Sequence, residues 1–459
     1  MKFTKKIALA VVSAAFAGSA FAAVSADEAK QLGNTLTAIG AEKAGNKEGT
    51  IPAYTGEGVK SPAGWDALPK PTGRPDPFAS EKPLFSITAQ NAAQYADKID
   101  GMADMFKKYP SFRMDVYPTH RTSVVPKWVA DNTLKNATAC KGTDNDLKLD
   151  GCYGGYAFPI PKNGTQAMWN HLTAYEASSW QGVSHSFVVS NSGNVTLVDG
   201  SDYWQQSWYY DPGRTTPTQP STIYWSVRVD ANAPARRNGE KLVLLDPLDA
   251  LTVGRRAFQY IPGQRRVKLA PDLAYDTPAP TGGGIITMDD AKVFLGGLDR
   301  YDWKLLGKKE KYIIANNFRL ADQTTCDDNK VMIKNFLNPD CVRWELHRVW
   351  AIEGKLKAGL RHIYQRRIFY WDEDNFAGGS SDEYDASGKI YRISHALAFP
   401  FWANEGAGTA GDGTVTYDLF TGNYAMQGSD ATKGQGKWVI PRKKDLFYSP
   451  DALAGEGIR

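Results

Sequence analysis

Between Arg343 and Leu356 the chain alternates. Trp344, Leu346, Trp350, Ile352 and Leu356 share one parity, while Arg343, Glu345, His347, Glu353 and Lys355 share the other. A period of two predicts a β-strand with one apolar face. Arg348 breaks that face, and an Arg among apolar neighbours needs a partner, so we read it first as half of an internal ion pair and second as a contact for a ligand head group. The same alternation recurs in short β-branched and aromatic runs over 183–230 and 241–400, separated by turns such as Asn191-Ser192-Gly193-Asn194. Phe258-Gln259-Tyr260-Ile261, the Pro262-Gly263-Gln264 turn and the Arg265–Leu269 run read as one antiparallel hairpin. Further strands are expected from His362 to Trp371, and from near Glu383 through the Asp385-Ala386-Ser387-Gly388 turn into Lys389–Ile393. With 13 Trp, 22 Tyr and 19 Phe, the chain has the aromatics that suit half-buried strands and pocket walls.

Other stretches lack this pattern. Residues 23–90 are punctuated by Ile51-Pro52, Ser61-Pro62, Pro69-Lys70-Pro71 and Arg74-Pro75-Asp76-Pro77, and read as an irregular lead-in packed on a larger body, residues 91–459. An amphipathic helix is expected over 88–108, with Thr88 as N-cap, Ala92, Tyr95, Ile99, Met102 and Phe106 on one face, and Pro110 beyond its end. A second is expected over 165–178, after Asn163-Gly164. The fold class that results is α+β, mostly antiparallel β.

Lys2, Lys5 and Lys6, the apolar run Ile7–Ala17 and the Ala20-Phe21-Ala22 site read as a secretory signal peptide over residues 1–22, without a Cys for lipidation. Later apolar runs are all interrupted by charge, Gly or Pro, so a soluble periplasmic protein is expected. An oxidising compartment agrees with the four cysteines, which fall in two local pairs. Pairing Cys140 with Cys152 and Cys326 with Cys341 closes two short polar loops, and no CxxC spacing points to zinc. A net charge of +4 without long basic runs gives no nucleic-acid footprint.

Catalytic signatures are missing: no GxSxG, no HExxH, and no metal-ligand spacing among His120, His171, His185, His347, His362 and His395. Gly282-Gly283-Gly284 lacks the ending of a phosphate loop, and Lys148 stands where a calcium loop built on Asp144 and Asp146 needs an oxygen ligand. Asp372-Glu373-Asp374 reads as a solvated turn. No catalytic residue, metal ligand or cofactor is nominated, and the chain is read as a non-enzyme.

Several separated segments carry a family resemblance: Arg255–Val267, Tyr301-Asp302-Trp303-Lys304, Asn316-Asn317-Phe318-Arg319, Arg343–Trp350, and the lead-in from Leu32-Gly33 to Thr50-Ile51-Pro52-Ala53-Tyr54. Together they resemble the domain-of-unknown-function 1329 family across the mature chain. The resemblance implies a fold similar to the lipoprotein-sorting carriers LolA and LolB, a curved antiparallel half-barrel with an apolar concave side covered by helices. It also implies a Gram-negative envelope setting beside resistance-nodulation-division type transporters and outer-membrane proteins. A lipid or other hydrophobic molecule is the expected ligand. The cavity candidates are Trp344, Leu346, Arg348, Trp350, Ile352, Leu356, Phe258, Tyr260, Ile368 and Tyr370. A structural partner of a membrane complex and an envelope hydrolase are the competing readings, and fold alone does not choose among them.

Overall fold

The computed structural model describes residues 24–61, 75–271, 273–322, 324–403, 406–410, 413–429 and 437–456. The export signal expected over residues 1–22 lies outside them. β1 (Phe85–Thr88) and β2 (Arg113–Val116) pair antiparallel, and β3 (Lys141–Thr143) and β4 (Lys148–Asp150) form a small separate sheet. The first arm of the main sheet follows as β5 (Ser179–Val189), β6 (Val195–Gln206), β7 (Ile223–Ala233), β8 (Lys241–Pro247), β9 (Arg256–Ile261) and β10 (Arg266–Leu269), each antiparallel to the next. Residues 270–300 form an irregular strap. The second arm is β11 (Tyr301–Ile314), β12 (Trp344–Leu356), β13 (Arg366–Asp372), β14 (Gly379–Tyr384) and β15 (Ile390–Ala396). β16 (Phe399–Ala403) and β17 (Gly406–Ala410) make a hairpin of their own. β18 (Thr414–Asp418), β19 (Tyr424–Ser429) and β20 (Lys437–Val439) return to the main sheet.

β19 pairs with β5, which joins the arms into one 16-stranded sheet among the described residues. The outermost strands of the two arms, β10 and β11, do not pair with each other there, so the sheet is curved but open. This is the expected mostly antiparallel α+β architecture. No described helix is long and apolar enough to cross a membrane. Both expected disulfides are formed, spanning 12 and 15 residues.

The 256–269 hairpin forms as expected, with Ile261 opposite Arg266 and Arg265 in the left-handed region at φ +49°. The helices are shorter than their periodicity suggests. Residues 92–108 split into a 3₁₀ turn, Ala92–Tyr95, and helices Ala96–Ile99 and Met102–Lys108. The break falls at Asp100, whose carboxylate is drawn to Lys309 at 2.7 Å and Lys311 at 2.9 Å on β11. Thr88 ends β1 instead of capping a helix. Ala92, Ile99, Met102 and Phe106 still face inward, because tertiary ion pairs redirect the backbone without changing which side is apolar. The second helix, Gly164–Leu172, is capped by the Asn163 side chain, which accepts from the Gln166 N–H, and it stops short of residue 178. The strand expected from His362 begins only at Arg366, because His362 is held instead against Asp289 of the strap.

Candidate functional site

The first arm carries a cavity of about 240 Å³. Its lining follows from strand register, because residues directly opposite on neighbouring strands share a face. One row is Trp180, Gln205, Val227 and Leu244. The next is Gly182, Tyr203, Val229, Leu242 and Gln259. A third is Ser184, Ser201 and Ala231, and a fourth pairs Ser186 with Asp199. All of these except Gly182 line the cavity. Gly182 matters differently: a Cβ there would lie 2.5 Å from the Tyr203 ring, so only glycine lets that ring lie across its neighbour. The walls therefore differ in chemistry. β7 and β8 contribute an aliphatic wall, and β5 and β6 a wall of hydroxyl, amide and carboxylate groups.

The strap roofs this trough with Leu273, Pro280, Thr281, Met288, Ala291, Lys292 and Leu295. It is fastened at several points. Gln427 donates to the Thr281 hydroxyl at 2.6 Å, and Arg255 donates to the Leu295 carbonyl at 2.8 Å. Asp289 and Asp290 enter the second arm, where the Arg367 guanidinium reaches them at 3.1 and 2.8 Å, and the Tyr364 hydroxyl donates to Asp290 at 2.8 Å. Gly282-Gly283-Gly284 belongs to this roof, and a Cβ on Gly283 would lie 2.7 Å from Val188 on β5.

The second arm contains buried charge instead of open space. Arg343 bonds Glu345 at 2.5 Å and Glu81 at 2.6 Å, and Glu345 in turn meets His347 at 3.1 Å. His347 reaches Asp372 at 3.2 Å, and Arg121 forks Asp374 at 2.6 and 2.8 Å. Glu373 takes Arg348 at 2.9 Å and Lys308 at 2.7 Å. Asp372, Glu373 and Asp374 are all buried, which corrects their reading as a solvated turn. The lead-in folds over them, and the Glu42 N–H donates to Glu373. The Arg348 guanidinium also donates to the Ala44 carbonyl, so its structural reading holds.

Burial alone lowers the pKa of His347, but Asp372 and Glu345 hold it up to about 10. Ligand atoms of His347, Asp372 and Asp374 lie within 4.8 Å of one another, close enough to hold a metal. The donor set does not fit one well: Arg121 already occupies Asp374, and the protonated imidazole supplies the cation next to Asp372. The gap beside them, about 10 Å³, is the size of a single water.

The sequence-nominated cavity residues sit elsewhere, and none of the ten lines the trough. Trp344 and Leu346 pack with Ile99, Met102 and Phe106 of the broken helix. Ile352 and Trp350 join the core around Trp169 and Trp371. Ile368 and Tyr370 pack with Ile313, Val349 and Ala351 on the opposite face of the same arm. Phe258 and Tyr260 lie beneath Tyr448 and Leu453 of the C-terminal segment, while Gln259 between them faces the trough. Leu356 sits half-buried at the end of β12, opposite Tyr301. These faces are filled because helices, the lead-in and the segment 445–456 cover them. The missed trough residues did carry a signal: Trp225, Val227, Val229 and Ala231 share a parity, with Ser226, Arg228 and Asp230 between them.

The model of a family described as protein of unknown function, DUF1329, matches residues 86–454. A Pseudomonas aeruginosa protein described as uncharacterized is 37% identical over 442 residues, covering 95% of each chain. Among solved structures, a DUF1329 family protein from Desulfovibrio piger aligns at 12% identity with a TM-score of 0.40, covering 60% of this chain and 92% of that one. A LolA superfamily protein from Nitrosomonas europaea aligns at 12% identity with a TM-score of 0.37, covering 64% of this chain and all of the other.

Proposed function

The chain belongs to the DUF1329 family, and from that premise and its trough we propose that it is an exported, periplasmic binding protein that carries a lipid or other hydrophobic molecule. The observation that supports this reading most is the aliphatic wall of Val227, Val229, Leu242 and Leu244, which joins the core around Trp169 and Trp225 and yet borders open space. Apolar surface left uncovered in water is unfavourable by roughly 25 cal/mol per Å², so a hydrophobic guest that covers it gains free energy. The signal sequence and the two disulfides suit an oxidising envelope compartment. In this role the protein passes its cargo to or from an envelope transport system, a resistance-nodulation-division type transporter or an outer-membrane protein.

Native mass spectrometry of gently purified protein tests the carrier reading. We expect adducts of lipid mass on the wild type and their loss in Val229→Trp, whose indole fills the trough. A wild-type spectrum without adducts, together with no uptake of the neutral probe Nile red, overturns it.

A further inference from the structure

The trough is not uniform along its length. One end, beside the β7–β8 turn, is lined by Asp199, Arg237, Glu240 and Lys241. Arg237 there lies between two carboxylates, Asp199 and Glu240. From Asp199 to Gln205 is six residues along β6, roughly 20 Å at the rise of an extended strand. Gln205 lies at the other end, with Trp180, Trp225 and Lys292, and Gln205, Trp225, Lys292 and Leu295 also line a smaller chamber with Glu176, Ser207, Tyr209 and Tyr210.

Lys292 is the charged side chain of the strap that lines both spaces. Its ammonium lies 2.9 and 3.0 Å from the two oxygens of Glu176, and 5.8 and 5.9 Å from the Trp180 and Trp225 rings. Glu176 also meets Lys437 at 3.5 Å and accepts from Gln205 at 3.3 Å. Burial works against the charged carboxylate, but the two lysines hold its pKa down at about 2. The Lys292 side chain keeps 27% of its surface open, although its carboxylate partner is 8% exposed. The backbone that delivers it is strained: Lys292 and Val293 stand at φ +54° and +69°, and a β-branched residue seldom adopts that region. Strain of this kind persists where surrounding structure holds a side chain in a particular place.

We infer that the trough takes a single-chain amphiphile with an acidic head group, the head seated against Lys292 and the chain lying along Val227, Val229, Leu242 and Leu244. The inference rests on the carrier reading above. Volume limits the number of chains: about 240 Å³ lies below the ~300–1,000 Å³ of common drug-sized pockets, which leaves room for one chain and not for several. Length suits an acyl chain, since half of a ~30 Å bilayer core gives each chain about 15 Å. Charge sets the direction. Because Lys437 also pairs with Glu176, Lys292 can turn a donor from that carboxylate to the carboxylate or phosphate of a ligand while Glu176 keeps a cationic partner. At the Asp199 end the two carboxylates are balanced by Arg237 and Lys241, whereas at the other end two lysines, Lys292 and Lys437, share the single carboxylate of Glu176.

Displacement of Nile red from the full exported chain, by myristate, methyl myristate, a one-chain lysophosphatidate and a two-chain phosphatidate, tests this. Myristate or lysophosphatidate is expected to bind at least tenfold tighter than the methyl ester, and whichever of the two is stronger tells carboxylate from phosphate. Lys292→Met should erase the difference between acid and ester, and Lys292→Arg should keep it. The acid–ester comparison on the wild type needs no variant. Equal affinity for acid and ester, or phosphatidate binding tighter than both one-chain acids, overturns the inference and leaves the carrier reading standing. If Nile red and every lipid fail to bind, both fall.

Discussion

In the first arm, the face carried by Val227, Val229, Leu242 and Leu244 borders a trough, whereas in the second arm the comparable faces of β12 and β13 are packed to closure. Both arms are antiparallel meanders built on the same alternation. What differs is what lies across from them. Helices and the lead-in fill the second arm and enclose Arg121, Arg343, Glu345, His347 and Asp372 in a continuous ion network. Among the described residues the strap lies over the trough side of the first arm and the C-terminal segment over Phe258 and Tyr260, and the strap is anchored in the second arm through Asp289 and Asp290 to Arg367. A packed, charge-locked arm thus holds the roof over an open one. Buried ion pairs add little net stability compared with apolar packing, but they are costly to break, which suits a frame that must keep one geometry.

The largest test of this contrast is Arg367→Met. It leaves Asp289 and Asp290 buried without their guanidinium, and should cost about 3–5 kcal/mol in urea unfolding while loosening the strap. A loss under about 1 kcal/mol would mean that the second arm is no more rigid than the first. Next comes removal of the disulfide beside β12, Cys326→Ser with Cys341→Ser. Its 15-residue loop predicts a loss of about 3 kcal/mol, read as a lower unfolding midpoint with Nile red affinity unchanged.

The third effect depends on pH. His347 has its folded pKa raised to about 10, above the ordinary value near 6.5 of the unfolded chain. Its contribution to stability is therefore full below about pH 6.5 and is lost as pH rises through about 10. Unfolding free energy should fall across that window, and His347→Gln should flatten the slope, as followed by urea titrations at successive pH values. A slope unchanged in the variant would remove His347 from the network. The smallest change is expected in the trough, where Val229→Ala should alter stability by about 1 kcal/mol or less, because the side chain borders open space, yet weaken hydrophobic probe binding. A loss as large as that of a core valine would show the trough to be filled.

The β-hairpin at 256–269 and the local cysteine pairs were readable because each depends on residues a few positions apart. Arg348 was readable as half of an internal ion pair, but which carboxylate completes it was not. Glu373 resembled a solvated turn residue until the lead-in folded across it, and the carbonyl of Glu42 that Arg348 also reaches lies 306 positions away. The trough escaped for a related reason. Trp344 and Trp350 stand out in one dense aromatic run, whereas the aromatics of the lining, Trp180, Tyr203 and Trp225, are spread over three strands among Ser, Val, Ala and Leu residues that are common on any strand.

By itself, the sequence determined the strand periodicity, the turns and the antiparallel class, since steric preference and side-chain parity act between neighbours. Only the tertiary structure decided which apolar face is covered and which stays open. Parity says which side chains share a face, but whether that face meets a helix, a strap or empty space depends on segments far away along the chain. In this protein the Asp289–Arg367 and Glu373–Arg348 contacts settle that question: they close one arm and roof the other.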